Sequence, residues 1–238
     1  AMIATRAANF LQSGEIKISV NDGHTILTGE QPQSTAISEK INQLTLLPGV
    51  RSVDNQTVLQ LSMEQKLALF LKDHPLPEHL QLTPNQNSIK LSGQAVAPVA
   101  NQYMEKIRST FEAVDTDSLQ VFTTDQLKSS ITSNHLQMVN PRNLNEEQTV
   151  LIQTILHQFN LLAVEQETRK LKIIPRSDCQ GILERSNENI INRAAVVNQS
   201  LLDAGLSDSK ILVEINYCEQ STDAVNIDML GVWFEVTE

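Results

Sequence analysis

Two stretches place chemically capable side chains close together. HPLPEH, His74 to His79, holds two imidazoles and the Glu78 carboxylate within six residues. Zinc-protease histidines need a helix to bring both rings onto one face. Pro75 and Pro77 preclude that helix, so the stretch reads as a solvated loop. SDCQG, Ser177 to Gly181, sets a hydroxyl, a carboxylate and a thiol after a strand-like run. A cysteine nucleophile needs a base to generate its thiolate. The only histidine in that part of the chain, His157, sits on a helix well upstream, so SDCQG reads as a turn. Cys179 and Cys218 are the only cysteines. They form no C-x-x-C motif and no zinc spacing, and two thiols leave the redox compartment open.

The elements that must position these residues come as repeats. HTILTGEQ at His24–Gln31 and SIKLSGQA at Ser88–Ala95 are both alternating strands that reach a glycine through Leu-x-Gly. Each is preceded by a helix with apolar residues at helical spacing: Ile3, Ala7, Phe10 and Leu11, then Met63, Leu67, Phe70 and Leu71. A third such helix carries Ile152, Ile155, Leu156 and Phe159. Ser62 with Gln65, and Asn145 with Gln148, are helix-start signals. Two strands follow each helix: Ile16–Val20 and Thr25–Thr28 around the NDG turn, Leu80–Thr83 and Ser88–Ser92 around PNQN, and Leu161–Glu165 and Lys170–Ile174. A second helix then shows Ile37, Ile41 and Leu44; Tyr103, Ile107 and Phe111; or Ile190, Ala194, Val197 and Leu201 with Gly205 as its stop. Val50–Val58, Ser118–Phe122 and Ile211–Tyr217 close the units, and Val232–Val236 adds a tail strand. Ile89, Leu91, Tyr103, Ile107 and Trp233 are expected in cores.

The expected fold class is therefore α+β: three serial small modules, each α-β-β-α-β, with two helices on one face of a three-stranded sheet and an extra C-terminal strand in the third. The boundaries are 1–60, 61–126 and 145–238, with 127–144 a polar linker that includes Asn140-Pro141. An aromatic content of 4% fits small modules better than one large core. The net charge of −10 argues against nucleic acid and against anionic membrane surfaces. Residues 145–238 carry 7 basic and 15 acidic groups and so hold most of that charge. No signal peptide or bilayer-spanning run is visible, and the chain opens directly into helix-like sequence, as a piece of a longer protein would.

The run HTILTGEQPQSTAISEKINQLTLLPGVRSVDNQTVL resembles a BON domain: a strand ending in Leu-x-Gly, a helix, then Gly49, Val50, Val53 and Asn55. The second unit keeps Leu91-x-Gly93 and lacks the later glycine; the third keeps only the order of elements. Serial modules of this kind resemble the periplasmic region of the YscD/PrgH family, inner-membrane ring proteins of type III secretion whose modules are called ring-building motifs. The resemblance implies a structural protein; with no pair of titratable groups convincingly placed for catalysis, no enzymatic activity, cofactor or metal is expected. It implies a membrane helix outside this stretch and a periplasmic location. It also implies a ring of identical copies that meets a second inner-membrane ring protein and an outer-membrane secretin. The alternative is an envelope-binding module, for lipid by the BON likeness or for peptidoglycan by another: SDCQG with the later NRAAVV also resembles an OmpA-like peptidoglycan-binding domain, which implies Asp178 and Arg193 as ligands for the peptide stem. Ser186 stands where that family has Asn, and the alternative is an exposed turn Asp and a surface helix Arg. Cys179 and Cys218 each follow a strand ending at the same edge of the third unit. A disulfide there requires Cα atoms within about 7 Å; a bond and two separate thiols both stay open.

Overall fold

The computed structural model describes residues 2–85, 88–220 and 227–238. Two compact units result, residues 1–75 and 76–238. Among the described residues there are seven α-helices and three four-stranded sheets, an α+β architecture.

In the first unit, α1 (Met2–Leu11) leads to a hairpin of β1 (Ile16–Asn21) and β2 (His24–Gln31). Asp22 and Gly23 both have positive φ, 47° and 84°, which a two-residue turn between twisted strands requires. A crossover helix, α2 (Thr35–Gln43), returns the chain to β3 (Ser52–Asn55), parallel to β2. The expected Val50–Val58 strand is broken: after Gln56 and Thr57 it resumes as β4 (Val58–Leu59), which pairs further along β2. Ala7, Leu11, Ile16, Leu27, Ile41 and Leu44 form the core, the inward positions of both helices and both hairpin strands. α3 (Met63–Asp73) ends the unit, its start fixed by the reciprocal Ser62–Gln65 capping box. This compact unit therefore runs past residue 60 and takes in the helix assigned from sequence to the second module.

The second unit repeats the motif and then varies it. β5 (Leu80–Asn85) and β6 (Ser88–Val96) are antiparallel, and the turn residues Gln86 and Asn87 of PNQN lie outside the described residues. α4 (Ala97–Thr110) crosses over to β7 (Val114–Asp115) and β8 (Leu119–Phe122), both parallel to β6. Gly29 and Gly93 explain the repeated Leu-x-Gly. Each lies opposite the first residue of the preceding strand, Ile16 and Leu80 respectively. Each has φ above 100°, and a Cβ there would meet a carbonyl oxygen, that of Glu15 at 2.3 Å or His79 at 2.0 Å. Only glycine lets the two strands close at that point.

Residues 127–144 are not a linker. They contain most of α5 (Thr124–Ser133), started by a Thr123–Gln126 capping box, and β9 (His135–Gln137). Leu127, Ile131, Leu136 and Met138 are buried. The polar residues between them fall on the outer faces, so average composition hid an amphipathic helix and an edge strand.

α6 (Glu146–Glu165) also departs from expectation. Leu161–Glu165 continues this helix instead of forming a strand, because Leu161 and Leu162 stay on its buried side and no turn signal precedes Gln166. β10 (Lys170–Arg176), α7 (Leu183–Asp203), β11 (Ile211–Val213) and β12 (Gly231–Thr237) complete a sheet of order β11-β10-β12-β9. β11 is parallel and β12 antiparallel to β10. In the earlier sheets, the strand antiparallel to the central one comes just before it. Here the C-terminal strand takes that place, so the third module is a permuted version of the first two. Thus the "tail" strand Val232–Val236 is central and not an addition at the edge. The expected Ile211–Tyr217 strand keeps only three paired residues, and Val213 and Tyr217 are exposed. α6 contacts β6 and α4 on one side and α5, α7 and β9 on others, so one helix serves both sheets of this unit.

Candidate functional site

The C-terminal ends of β10 and β11 bring together the residues singled out from sequence. After β10 the chain turns at Ser177–Gln180, with Cys179 at φ 57°. Cys179 and Cys218 are disulfide-bonded, with Cα atoms 5.5 Å apart. The parallel β10–β11 pairing, joined by α7, puts both strand ends on the same side. Asn187 on α7 holds Cys218 through its backbone: Cys218 N–H donates to Asn187 Oδ1 at 2.7 Å and Asn187 Nδ2 donates to Cys218 O at 3.4 Å. Ser186, where the OmpA-like pattern has Asn, donates to Gln180 O at 3.0 Å and so shapes the turn.

Arg193 is not a surface helix residue. It is 2% exposed, and its guanidinium bonds two backbone carbonyls. Nε donates to Met138 O at 2.9 Å and Nη1 to Arg176 O at 3.1 Å. It therefore ties α7 to the ends of β9 and β10. Burial lowers the Arg193 pKa, partly offset by the nearby Asp178 carboxylate. Asp178 accepts from Gln180 N–H at 3.4 Å within the turn. The pair is close enough to interact, but the arginine faces protein carbonyls. The signal was present in the sequence: Arg193 falls in helical register with Ile190, Ala194 and Val197, the buried stripe of α7.

The sheet face opposite the α6–α7 core carries two ordered rows. Directly opposed residues share a face, so Lys172 lies with Glu235, and Ile174 with Trp233. Lys172 Nζ reaches Glu214 at 2.5 Å and Glu235 at 3.3 Å. Hydrogen bonding to Glu214 raises the lysine pKa, and the reciprocal bond lowers that of Glu214. Trp233, expected in the core, is half-buried on this face. His135 from β9 stacks on it at 5.3 Å, with 10° between the ring planes, and the Arg176 guanidinium sits 4.6 Å from the ring centroid. β9 and β10 flank β12, so the imidazole and the guanidinium approach the indole from its two neighbouring strands.

The HPLPEH histidines part company. His74 caps the end of α3 and packs on Phe70 at 5.0 Å. His79 precedes β5 and meets His157 of α6 edge to face, with ring centroids 5.1 Å apart. Among the described residues no group of three or more His, Cys, Asp or Glu is placed to hold a metal ion, and no helix is long and apolar enough to cross a membrane. Some of the exposed apolar side chains lie on sheet-edge strands. In the first unit Val58 (70% exposed) and Leu59 of β4 join Leu61 along a shallow groove with Gly29 and Lys66. In the second unit Val121 of β8, the topological equivalent of β4, is also exposed.

No protein-family model matches the chain. No curated protein matches it either. Among solved structures, it is similar to the C-terminal domain of CdsD, described as the structural protein of the type III secretion system of Chlamydia trachomatis. That likeness has 13% identity and a TM-score of 0.33, covering 89% of this chain and 95% of that one. A second CdsD structure from the same organism gives 15% identity and a TM-score of 0.32, with 92% of each chain covered. At these scores the likeness carries no inference about fold or function.

Proposed function

We propose that this chain is a structural scaffold: the periplasmic part of an inner-membrane ring of a type III secretion apparatus, working by lateral association of its modules with those of identical copies. The observation that carries the reading is the repetition itself. One sheet topology is built twice with glycine in the same place, and each time it ends in a short, split edge strand with an exposed apolar side chain, Val58 and Leu59 in the first and Val121 in the second. A partner that engages both edges must present two complementary surfaces in series, which a second copy does by construction. Such heterologous contacts close into a ring when the rotation between copies closes. Each contact is small, and anchoring to a membrane would raise the effective concentration of copies enough to populate it.

Supporting features are the BON-like run in the first module and the disulfide, which belongs with an oxidising compartment. A membrane helix outside this stretch, and contact with a second inner-membrane ring protein and an outer-membrane secretin, complete the proposal. The burial of Arg193 counts against the peptidoglycan alternative, since two of its N–H donors are used within the protein, on Met138 O and Arg176 O.

The test is cysteine crosslinking in intact cells, with Val58→Cys and Val121→Cys placed one at a time in the full protein. Crosslinked multimers of the protein itself at both positions support the scaffold. Adducts only to cell-wall material or lipid overturn it.

A further inference from the structure

We infer that the seam where α6 packs against the second sheet is a pH-responsive joint, shut while His79 and His157 are neutral and loosened once both carry a proton.

The two rings sit edge to face at 5.1 Å, one from the start of the second sheet and one from α6. Neither can move away freely. His79 is held through its backbone, whose carbonyl accepts from Gln94 N–H at 2.9 Å and fills the space that a side chain on Gly93 would need. His157 Nε2 bonds Gln94 Oε1 at 2.6 Å, and Gln94 Nε2 donates to Gln120 Oε1 at 2.7 Å. With Gln94 so oriented, Nε2 of His157 is the donor and Nδ1 is the site left for an added proton. Below the rings the seam is mostly apolar: Leu80, Ala95, Val96, Val99, Leu161 and Val164, with Gln94 and His79 at its polar side, line a small cavity.

The charged groups around the pair are few. Glu78 adjoins His79, and Glu165 and Glu167 line the same groove from α6 and the turn after it. Glu165 is engaged by Arg169 at 2.6 Å and by Thr124 at 2.9 Å, and Lys210 is bonded to the Glu167 carbonyl. Glu78 is the carboxylate whose charge acts on His79. Burial, and then the His157 charge, make His79 harder to protonate, and Glu78 offsets this in part. A single imidazolium resting against a neutral ring is tolerated. A proton on each ring sets two like charges with ring centroids 5.1 Å apart at the rim of this seam, and the joint opens to separate them.

The sign follows from linkage. A histidine harder to protonate in the closed joint than in the open one favours closure above its ordinary value and loses that contribution as pH falls below it. Opening becomes about tenfold more frequent for each pKa unit separating the closed and open joint.

Hydrogen exchange of the full chain, corrected for intrinsic rates, tests this at about pH 7.5 and about pH 5, the range in which imidazoles change charge. The expected result is a several-fold loss of protection confined to the seam half of α6 and the facing end of β6 at the lower pH, abolished in His157→Gln. Equal protection at both pH values overturns the proposal, as does a loss of the same size in a folded His157→Gln protein. If that variant fails to fold, His79→Gln decides on the same criterion. Proton NMR titration of the rings in the unaltered chain is an independent check: two separated steps are expected, and two independent ordinary titrations refute the coupling.

Discussion

Replacing Arg193 by methionine separates a structural arginine from a ligand-binding one. Methionine keeps most of the buried volume, so the change removes chiefly the guanidinium's two hydrogen bonds, to Met138 O at 2.9 Å and Arg176 O at 3.1 Å. A hydrogen bond to a charged group contributes about 1.5–3 kcal/mol, and a carbonyl left buried without a donor costs about 1–3 kcal/mol. Relief from burying the arginine's own charge works in the other direction. The net expectation is a loss of about 3 kcal/mol from the second unit, a fall in melting temperature on the order of 10 °C at this size. Chemical denaturation followed by circular dichroism, with the denaturant dependence checked for constancy, reads the change directly. Arg193→Lys should lose nearly as much, because a single ammonium cannot reproduce the planar fork. A loss below about 1 kcal/mol, within the range of ordinary surface substitutions, would refute this reasoning, above all if co-sedimentation with purified peptidoglycan disappeared at the same time.

Three further outcomes follow from the packing. Removing the Cys179–Cys218 bond with two serines frees a 39-residue separation, which on the chain-entropy account should lower stability by about 4 kcal/mol in denaturant melts. Gly93→Ala sets a methyl 2.0 Å from the His79 carbonyl at a φ of 113°, so it should destabilise the second unit far more than Gly205→Ala, whose added methyl meets nothing within 4 Å; comparing the two melting temperatures checks this. Glu165 is pulled down in pKa: burial pushes it up, but bonding to Arg169 and Thr124 outweighs that. Its stabilising contribution is therefore complete above the ordinary value of 4.5 and lost as pH falls through the lower folded value, so acid unfolding of Glu165→Gln should show a weaker pH dependence in that window.

Much of this architecture is readable from spacing. NDG marks the first hairpin, the Ser62–Gln65 and Asn145–Gln148 pairs mark two helix starts, and the Ile190, Ala194, Val197 and Leu201 stripe is the buried face of α7. What escapes is non-local. Nothing near β10 shows that its antiparallel neighbour comes from the end of the chain, because a strand's partner is chosen by tertiary packing and not by its own pattern. The stretch from Leu127 to Leu144 is hidden for another reason: its few apolar residues are widely spaced among Ser, Thr and Asn, so composition speaks louder than periodicity. Arg193 passes for a surface residue when residue type is weighed above helical register, although its position in that register is a core position. Trp233 deceives the other way, a large apolar ring placed on an open face and covered there by His135 and Arg176.

A ring scaffold requires that copies held at one surface find each other through their module edges. Energy transfer between labelled copies tethered to vesicles at a fixed density measures this. Transfer above the level of randomly distributed neighbours, returning to that level when Val58 and Val121 are both changed to glutamate, is the predicted result. Transfer at the random level for the unaltered chain across all densities would contradict it.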